Sequence, residues 1–289
     1  MRFVTYNIQY GVGKDGRVDL TRIAEEIGDA DVIALQEVTQ FMGRGGNLDQ
    51  VAELAALFPE HYWTYGPAMD ADASYRDEAG KLVNRRTTFG NMILSKTAIL
   101  SSRHHMLPKV RLLNQISLQR SIIEAVIETA SGPLRVYSLH LAHASVEERL
   151  LQIDRLLEIV KQAPDEGGVV SAGPDTELWY SNGRFMPMPN RAVVMGDFNM
   201  DPSFSEYDRI CGAKEHFVGR SLPAAGLIDA WVATGGAEDQ GGTCFYDGRL
   251  YRLDYCFVTE ELVPALHSLT VGDDALGSDH QPLYLEIEI

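Results

Sequence analysis

The chain predicts a mixed α/β fold in which two mixed β-sheets pack face to face and helices flank them. Three observations carry this reading. Short apolar runs ending in a polar residue recur from residue 2 to residue 289, and helical patterns lie between many of them. Stretches such as Arg120 to Leu139 are rich in strand formers with no helix between, which adds antiparallel pairs to an alternating pattern. At 289 residues with 45% hydrophobic content, there is material for a substantial core, as one large domain or two ordinary ones.

Taken in order, Arg2-Phe-Val-Thr-Tyr-Asn7 reads as a strand ending in Asn7. Asp31-Val-Ile-Ala-Leu-Gln-Glu37 reads as a second strand, ending in Glu37. Asn47 and Gln50 have the spacing of a capping box, opening a helix that sets Leu48, Val51, Leu54 and Phe58 on one face. Residues 70–88 are polar and charged and read as irregular. Leu134-Arg-Val-Tyr-Ser-Leu-His140 ends in His140, with His143 one turn later. Ser145 and Glu148 form a second box, before a helix carrying Leu150, Ile153, Leu157 and Val160. Residues 164–190 mix Pro164, Gly167, Gly168, Gly173, Pro174, Gly183, Pro187 and Pro189 with Trp179, Tyr180, Phe185, Met186 and Met188. That composition reads as an insertion or substrate-side loop rather than a linker.

The most informative stretch is Arg191-Ala-Val-Val-Met-Gly-Asp197-Phe-Asn199. Its apolar run suits a strand buried on both faces, and Gly196 permits a tight turn at its end. Asp197 and Asn199 then emerge together at the C-terminal edge of a buried strand, where open α/β sheets place their chemistry. A lone Asp-x-Asn is better read as a turn cap; the recurrence of strand-end polar residues outweighs that here. Ser203 and Glu206, after Pro202, form a third capping box. Arg252-Leu-Asp254-Tyr-Cys-Phe-Val258 places Asp254 inside a strand, and Ser278-Asp279-His280 precedes the final strand, Leu283 to Ile289. Buried carboxylates and imidazoles need a partner, a metal or a shifted pKa. Several converging on one edge point to a hydrophilic metal site.

In the order Asn7, Glu37, His140, Asp197-x-Asn199, Asp254 and Asp279-His280, the chain resembles the endonuclease/exonuclease/phosphatase family, which has the deoxyribonuclease-I-like fold. Gly-Asp-Phe-Asn and Ser-Asp-His are the sharpest motifs. The resemblance runs from residue 2 to residue 289, which favours a single catalytic domain over 1–289. It implies a four-layer α/β sandwich and divalent-metal hydrolysis of a phosphoester by direct attack of water. The family's substrates are diverse, so the resemblance bears on chemistry more than on substrate.

The implied roles follow residue by residue. Glu37 is a metal ligand, Asn7 supplies an amide oxygen or orients a metal-bound water, and Asp279 completes the site or helps hold a second ion. Such oxygen donors, with no Cys/His cluster, suit Mg²⁺ or Mn²⁺. His280 faces the scissile phosphate and Asp254 orients it; the alternative for Asp254 is an ion pair with Arg252 or Arg249. Asp197 accepts a proton from the attacking water or orients it, Asn199 holds water or phosphate, and His140 donates to a non-bridging oxygen. Asn91, Arg120 and His143 are further candidates for substrate contact. Gln9 is a departure, because some family nucleases carry an acid two residues after the first Asn.

A net charge of −16 argues against a general nucleic-acid binder. The expected substrate is therefore a small-molecule or lipid-derived phosphodiester, with DNA or RNA ranked behind it. Residues 76–120 nevertheless hold nine of the 25 basic residues and only two acids. They read mainly as a solvated face, a few of them as guides for an anion. A non-catalytic binding protein on the same scaffold would have lost catalytic positions, and none of the core positions is missing. Met1 leads directly into the first strand, so no signal peptide is expected, and no run is long enough to span a membrane. Cys211, Cys244 and Cys256 have no metal-type spacing and read as free thiols in a reducing cytoplasm. Oligomeric state is not legible in the sequence.

Overall fold

The computed structural model describes residues 1–170, 188–217 and 219–289. The sheet-forming strands are β1 (Arg2–Asn7), β2 (Val32–Gln40), β3 (Tyr62–Asp72), β4 (Arg86–Ser95), β5 (Ile99–Met106), β6 (Ser121–Ile127), β7 (Leu134–His140), β8 (Ala192–Asp197), β9 (Ile228–Asp229), β10 (Asp254–Val258), β11 (Leu266–Val271) and β12 (Leu283–Ile287). Two six-stranded sheets result, in the orders β11-β12-β1-β2-β4-β3 and β9-β10-β8-β7-β6-β5. Each sheet holds one parallel pair, β1 with β2 and β8 with β7, and every other pairing is antiparallel. The C-terminal ends of both parallel pairs lie at one edge of the sandwich.

Four layers form because the central strands are apolar on both faces. Between the sheets, Phe3, Val32, Ala34 and Ile93 meet Ile123, Val136, Met195 and Cys256. The outer face of the first sheet, with Val4, Ile33 and Leu35, is covered by α1 (Leu20–Ile27) and α2 (Gln50–Leu57). The outer face of the second, with Leu139, Val194 and Phe257, is covered by α3 (Val146–Glu166) and α4 (Ser205–Cys211). The expected α/β sandwich of two mixed sheets is therefore observed. Near the site the inter-sheet layer turns polar: the Gln36 amide donates to Ser138 Oγ at 3.0 Å, and Ser138 Oγ to Leu35 O at 3.2 Å.

Several local expectations are corrected. Strand β2 does not end at Glu37 but continues to Gln40 through a bulge between Leu35 and Val38. Helix α2 is capped by Asp49, which accepts from Ala52 N–H, and not by Asn47. Gln50 instead turns inward, accepting from Thr39 N–H and donating to Tyr10 O. Helix α4 has no side-chain cap. Ser203 bonds Asp201, and Glu206 is buried against Arg149, with 2.8 Å between Nη2 and Oε1. Ser145 does cap α3, as expected, accepting from Glu148 N–H. Residues 70–88 are a hairpin extension rather than irregular: β3 and β4 pair as far as Asp72 and Arg86, and a small ribbon, Tyr75–Arg76 with Leu82–Val83, continues them.

Helix α3 runs on to Glu166 through Pro164, and the aromatic part of the expected substrate-side loop, residues 171–187, lies outside the described residues. The three cysteines are buried and free. Among the described residues, no helix is long and apolar enough to cross a membrane.

Gly196 matters for a reason other than a turn. Its φ is +146°, and a Cβ there would lie 2.0 Å from Leu139 O on the neighbouring strand. Gly196→Ala is expected to destabilise the chain by more than about 2 kcal/mol, because neither strand can retreat without opening the sheet. Urea unfolding would measure this; an unchanged midpoint would show that the strands separate freely.

Candidate active site

The site is built where the two sheets present the ends of their parallel pairs. In register, Asn7 lies opposite Gln36, while Asp197 lies opposite both His140 and Asp254. Asp197 is the hub. It is buried, and its Oδ2 accepts from Asn7 Nδ2 at 2.9 Å and Asn199 Nδ2 at 3.2 Å. His140 Nε2 lies 3.2 Å and His280 Nε2 3.9 Å from the same oxygen, and Oδ1 accepts from Asn199 N–H at 2.9 Å. The turn-cap reading of Asp-x-Asn is thus literally true, and the same side chains also face the site. Burial pushes the Asp197 carboxyl up to about 7, opposed by the positive charge of His280. A carboxylate with that proton affinity can take a proton from water near neutral pH.

Opposite it stands a histidine–carboxylate pair. His280 Nδ1 is 2.7 Å from Asp254 Oδ2, and both residues are buried. Burial alone would lower the imidazole's proton affinity, but Asp254 and Asp197 more than offset this and raise it well above its ordinary value. The alternative ion pairs for Asp254 are not formed. Arg252 is bound to Asp229 at 2.6 Å, and Arg249 lies 3.5 Å from Asp201. Asp197, Asp254 and His280 bring donor atoms within 4.8 Å of one another, a spacing compatible with a metal ion. Within this group the Asp254 hydrogen bond occupies His280 Nδ1, which leaves Nε2 as the ring nitrogen facing Asp197.

A second set of oxygens suits a hard cation better. Glu37 sits in the β2 bulge at φ +64°, a conformation few non-glycine residues adopt, and its side chain is only 14% exposed. Its Oε2 is buried with no hydrogen-bond partner. Burial raises its pKa, Arg120 and His280 oppose this, and Asp279 raises it further. Asp279 is exposed, and its Oδ2 accepts from Gln9 Nε2 at 2.8 Å. Asn7 joins the two sets: Nδ2 faces Asp197 and, at 3.4 Å, Glu37 Oε1, while Oδ1 accepts from Gln9 N–H. A buried, unpartnered carboxylate oxygen among further oxygen donors fits a divalent cation of the Mg²⁺ type.

The remaining candidates divide. Arg120 is buried and reaches His140 Nδ1 at 3.0 Å and His143 Nδ1 at 3.3 Å, and His143 itself is exposed. Asn91 is buried, and its amide nitrogen is spent on Ser121 O across the sheets. Sequence reasoning did not single out Thr243, whose hydroxyl donates to Asp254 Oδ2 at 2.6 Å. Ser278 stands within the Ser-Asp-His motif with no role assigned from sequence; its hydroxyl donates to Asn7 O at 2.6 Å and accepts from His280 N–H. Thr243 lies 11 residues before Asp254 with no motif to mark it, whereas the bond from Ser278 to Asn7 spans 271 residues. Part of the basic segment is neutralised: Arg86 pairs with Asp70, Lys96 with Asp29, and Arg103 with Glu124.

The family model described as Endonuclease/Exonuclease/phosphatase family matches residues 4–280, and the chain belongs to this family of hydrolases. Solved structures agree on the fold. An endonuclease/exonuclease/phosphatase from Bacteroides vulgatus is 20% identical over 99% of this chain and 98% of its own, with a TM-score of 0.66. One from Beutenbergia cavernae is 22% identical over 99% of this chain and 70% of its own, with a TM-score of 0.61. A Bacteroides thetaiotaomicron mannosyl-6-phosphatase is 16% identical over the full length of both chains, with a TM-score of 0.62. No curated protein matched the chain.

The Asp254–His280 bond makes a testable claim. If the pair acts as one unit, His280→Ala should lower kcat at least about a hundredfold on any phosphoester turned over. Asp254→Asn should cause a large part of that loss, and the double variant should be little worse than His280→Ala. Steady-state kinetics of the cycle, with circular dichroism as a fold control, decides; losses that multiply independently would separate the two residues.

Proposed function

We propose that this chain is a Mg²⁺- or Mn²⁺-dependent phosphoesterase, a single catalytic domain over residues 1–289. It hydrolyses a small-molecule or lipid-derived phosphodiester by direct in-line attack of water. The observation that carries this reading is the buried Asp197 hub, with its raised proton affinity, set between the His280–Asp254 pair and the unpartnered oxygen of Glu37. Asp197 accepts the proton of the attacking water and Asn199 holds that water. His280, kept charged and oriented by Asp254, donates to the phosphoryl oxygens, as does His140 as charge builds. Glu37 and Asp279, with Asn7 as the orienting amide, hold the cation. When bound, the cation neutralises phosphate charge and stabilises the departing oxygen.

The acidic chain and the paired state of Arg86, Lys96 and Arg103 support a small or lipid-derived substrate over DNA or RNA. The three free cysteines suit a cytoplasmic setting. A similar structure bears the name mannosyl-6-phosphatase, so a sugar phosphate belongs in the first substrate screen beside phosphodiesters, nucleotides and nucleic acids.

Chelation should abolish hydrolysis, and Mg²⁺ or Mn²⁺ should restore it; full activity in exhaustively chelated protein contradicts the metal role. Glu37→Gln should lower both cation affinity, read by calorimetry, and rate, with the fold intact. A single turnover in ¹⁸O-labelled water should place the label in the phosphate product, whereas a trapped phosphoryl-enzyme would rule out direct attack by water.

A further inference from the structure

One buried guanidinium in the site touches imidazoles. Arg120 is 5% exposed, stands immediately before β6, and lies 5.5 Å from the centre of the Phe89 ring. Glu37 and Asp197 supply part of the negative charge that makes its burial tolerable. Its Nη1 lies 3.0 Å from His140 Nδ1, and its Nη2 lies 3.3 Å from His143 Nδ1. A guanidinium carries donors only, so each Nδ1 facing it must be an acceptor. An Nδ1 that accepts from a guanidinium carries no proton, although Glu37 Oε1 also lies 3.9 Å from it, so the ring is neutral and carries its one proton on the other nitrogen. That proton must sit on Nε2, the nitrogen 3.2 Å from Asp197 Oδ2. The carboxylate is an acceptor, and the two contacts therefore agree on one tautomer.

We infer that Arg120 is a positioning residue that holds His140 in the neutral Nε2–H tautomer, so that this imidazole faces Asp197 and the reacting phosphate only as a donor. The consequence is a division of labour. With its second nitrogen capped by Arg120, His140 cannot compete with Asp197 for the proton of the attacking water. The assignment of the reacting phosphate rests on the proposed hydrolysis; the tautomer does not.

The test begins with the unmodified chain, labelled with ¹⁵N at histidine and studied with and without Mg²⁺. Long-range ¹H–¹⁵N correlation should show His140 as Nε2–H, its signals identified by their loss in His140→Gln. Arg120→Lys, which still presents only donors, should keep the tautomer and hold kcat within about tenfold. Arg120→Met should shift His140 towards Nδ1–H and lower kcat about a hundredfold, with KM changed by less than about threefold. An Nδ1–H or doubly protonated His140 in the unmodified chain overturns the inference. So does an unchanged tautomer in Arg120→Met, or a loss confined to KM, which would make Arg120 a direct substrate contact. Should Arg120→Met not fold, the unmodified spectrum and Arg120→Lys decide. Because that spectrum needs no turnover, failure of the tautomer and failure of the hydrolysis reading are separately visible.

Discussion

Keeping the Asp197 carboxylate buried is the constraint on which the rest of the site depends. A buried acid without donors would take up a proton and lose its use. Here Asn7, Asn199 and His140 come to Asp197 Oδ2, and the Asn199 N–H comes to Oδ1. Each donor is fixed in turn by a further contact. Asn7 is held through its Oδ1 by Gln9 N–H, Asn199 through its amide by Leu141 O, and His140 by Arg120. The donors come from both sheets, so the face-to-face packing of the sandwich is itself part of the site.

Backbone geometry is bent to serve the same end. Gln9, Tyr10, Glu37 and Asn199 all have positive φ, and all lie at or beside strand ends or bulges that face the site. Such conformations cost on the order of 1–3 kcal/mol each and persist only where packing imposes them. The apolar layers supply that packing. Phe3, Ala34, Val136 and Met195 lock the central strands a few residues below the polar edge. The bulge in β2 departs from regular pairing just where Glu37 must turn towards Asn7 rather than alternate with its neighbours.

Charge is handled by separation. The chain is acidic as a whole, and within its basic segment Arg86, Lys96 and Arg103 are paired with carboxylates. Arg120 stands apart from these, a buried cation set among imidazoles beside two acids of the site. A field of that kind draws an anion to one place rather than along a surface. Tyr10, whose phenol is pushed up to about 12 by burial and by Glu37, stays neutral at the same edge.

The sequence by itself determined the layer architecture and most of the site's acids and imidazoles. Apolar runs ending in Asn7, His140 and Asp197 announce strands buried on both faces with polar ends, and burial of that kind follows from local pattern alone. Asp254 and His280 were legible as a pair through the family resemblance, and their 2.7 Å contact agrees. What only the tertiary structure decided is the wiring. Gln9 reaches Asp279 across 270 residues, Thr243 supports Asp254 from 11 residues upstream, and Arg252 chooses Asp229 over Asp254. Capping failed where a long-range partner outbid the local one, as when Gln50 turned inward to Thr39 and Tyr10 and Glu206 to Arg149. A hydrogen bond depends on distance and direction in space, and a one-dimensional pattern holds neither until the two sheets have packed.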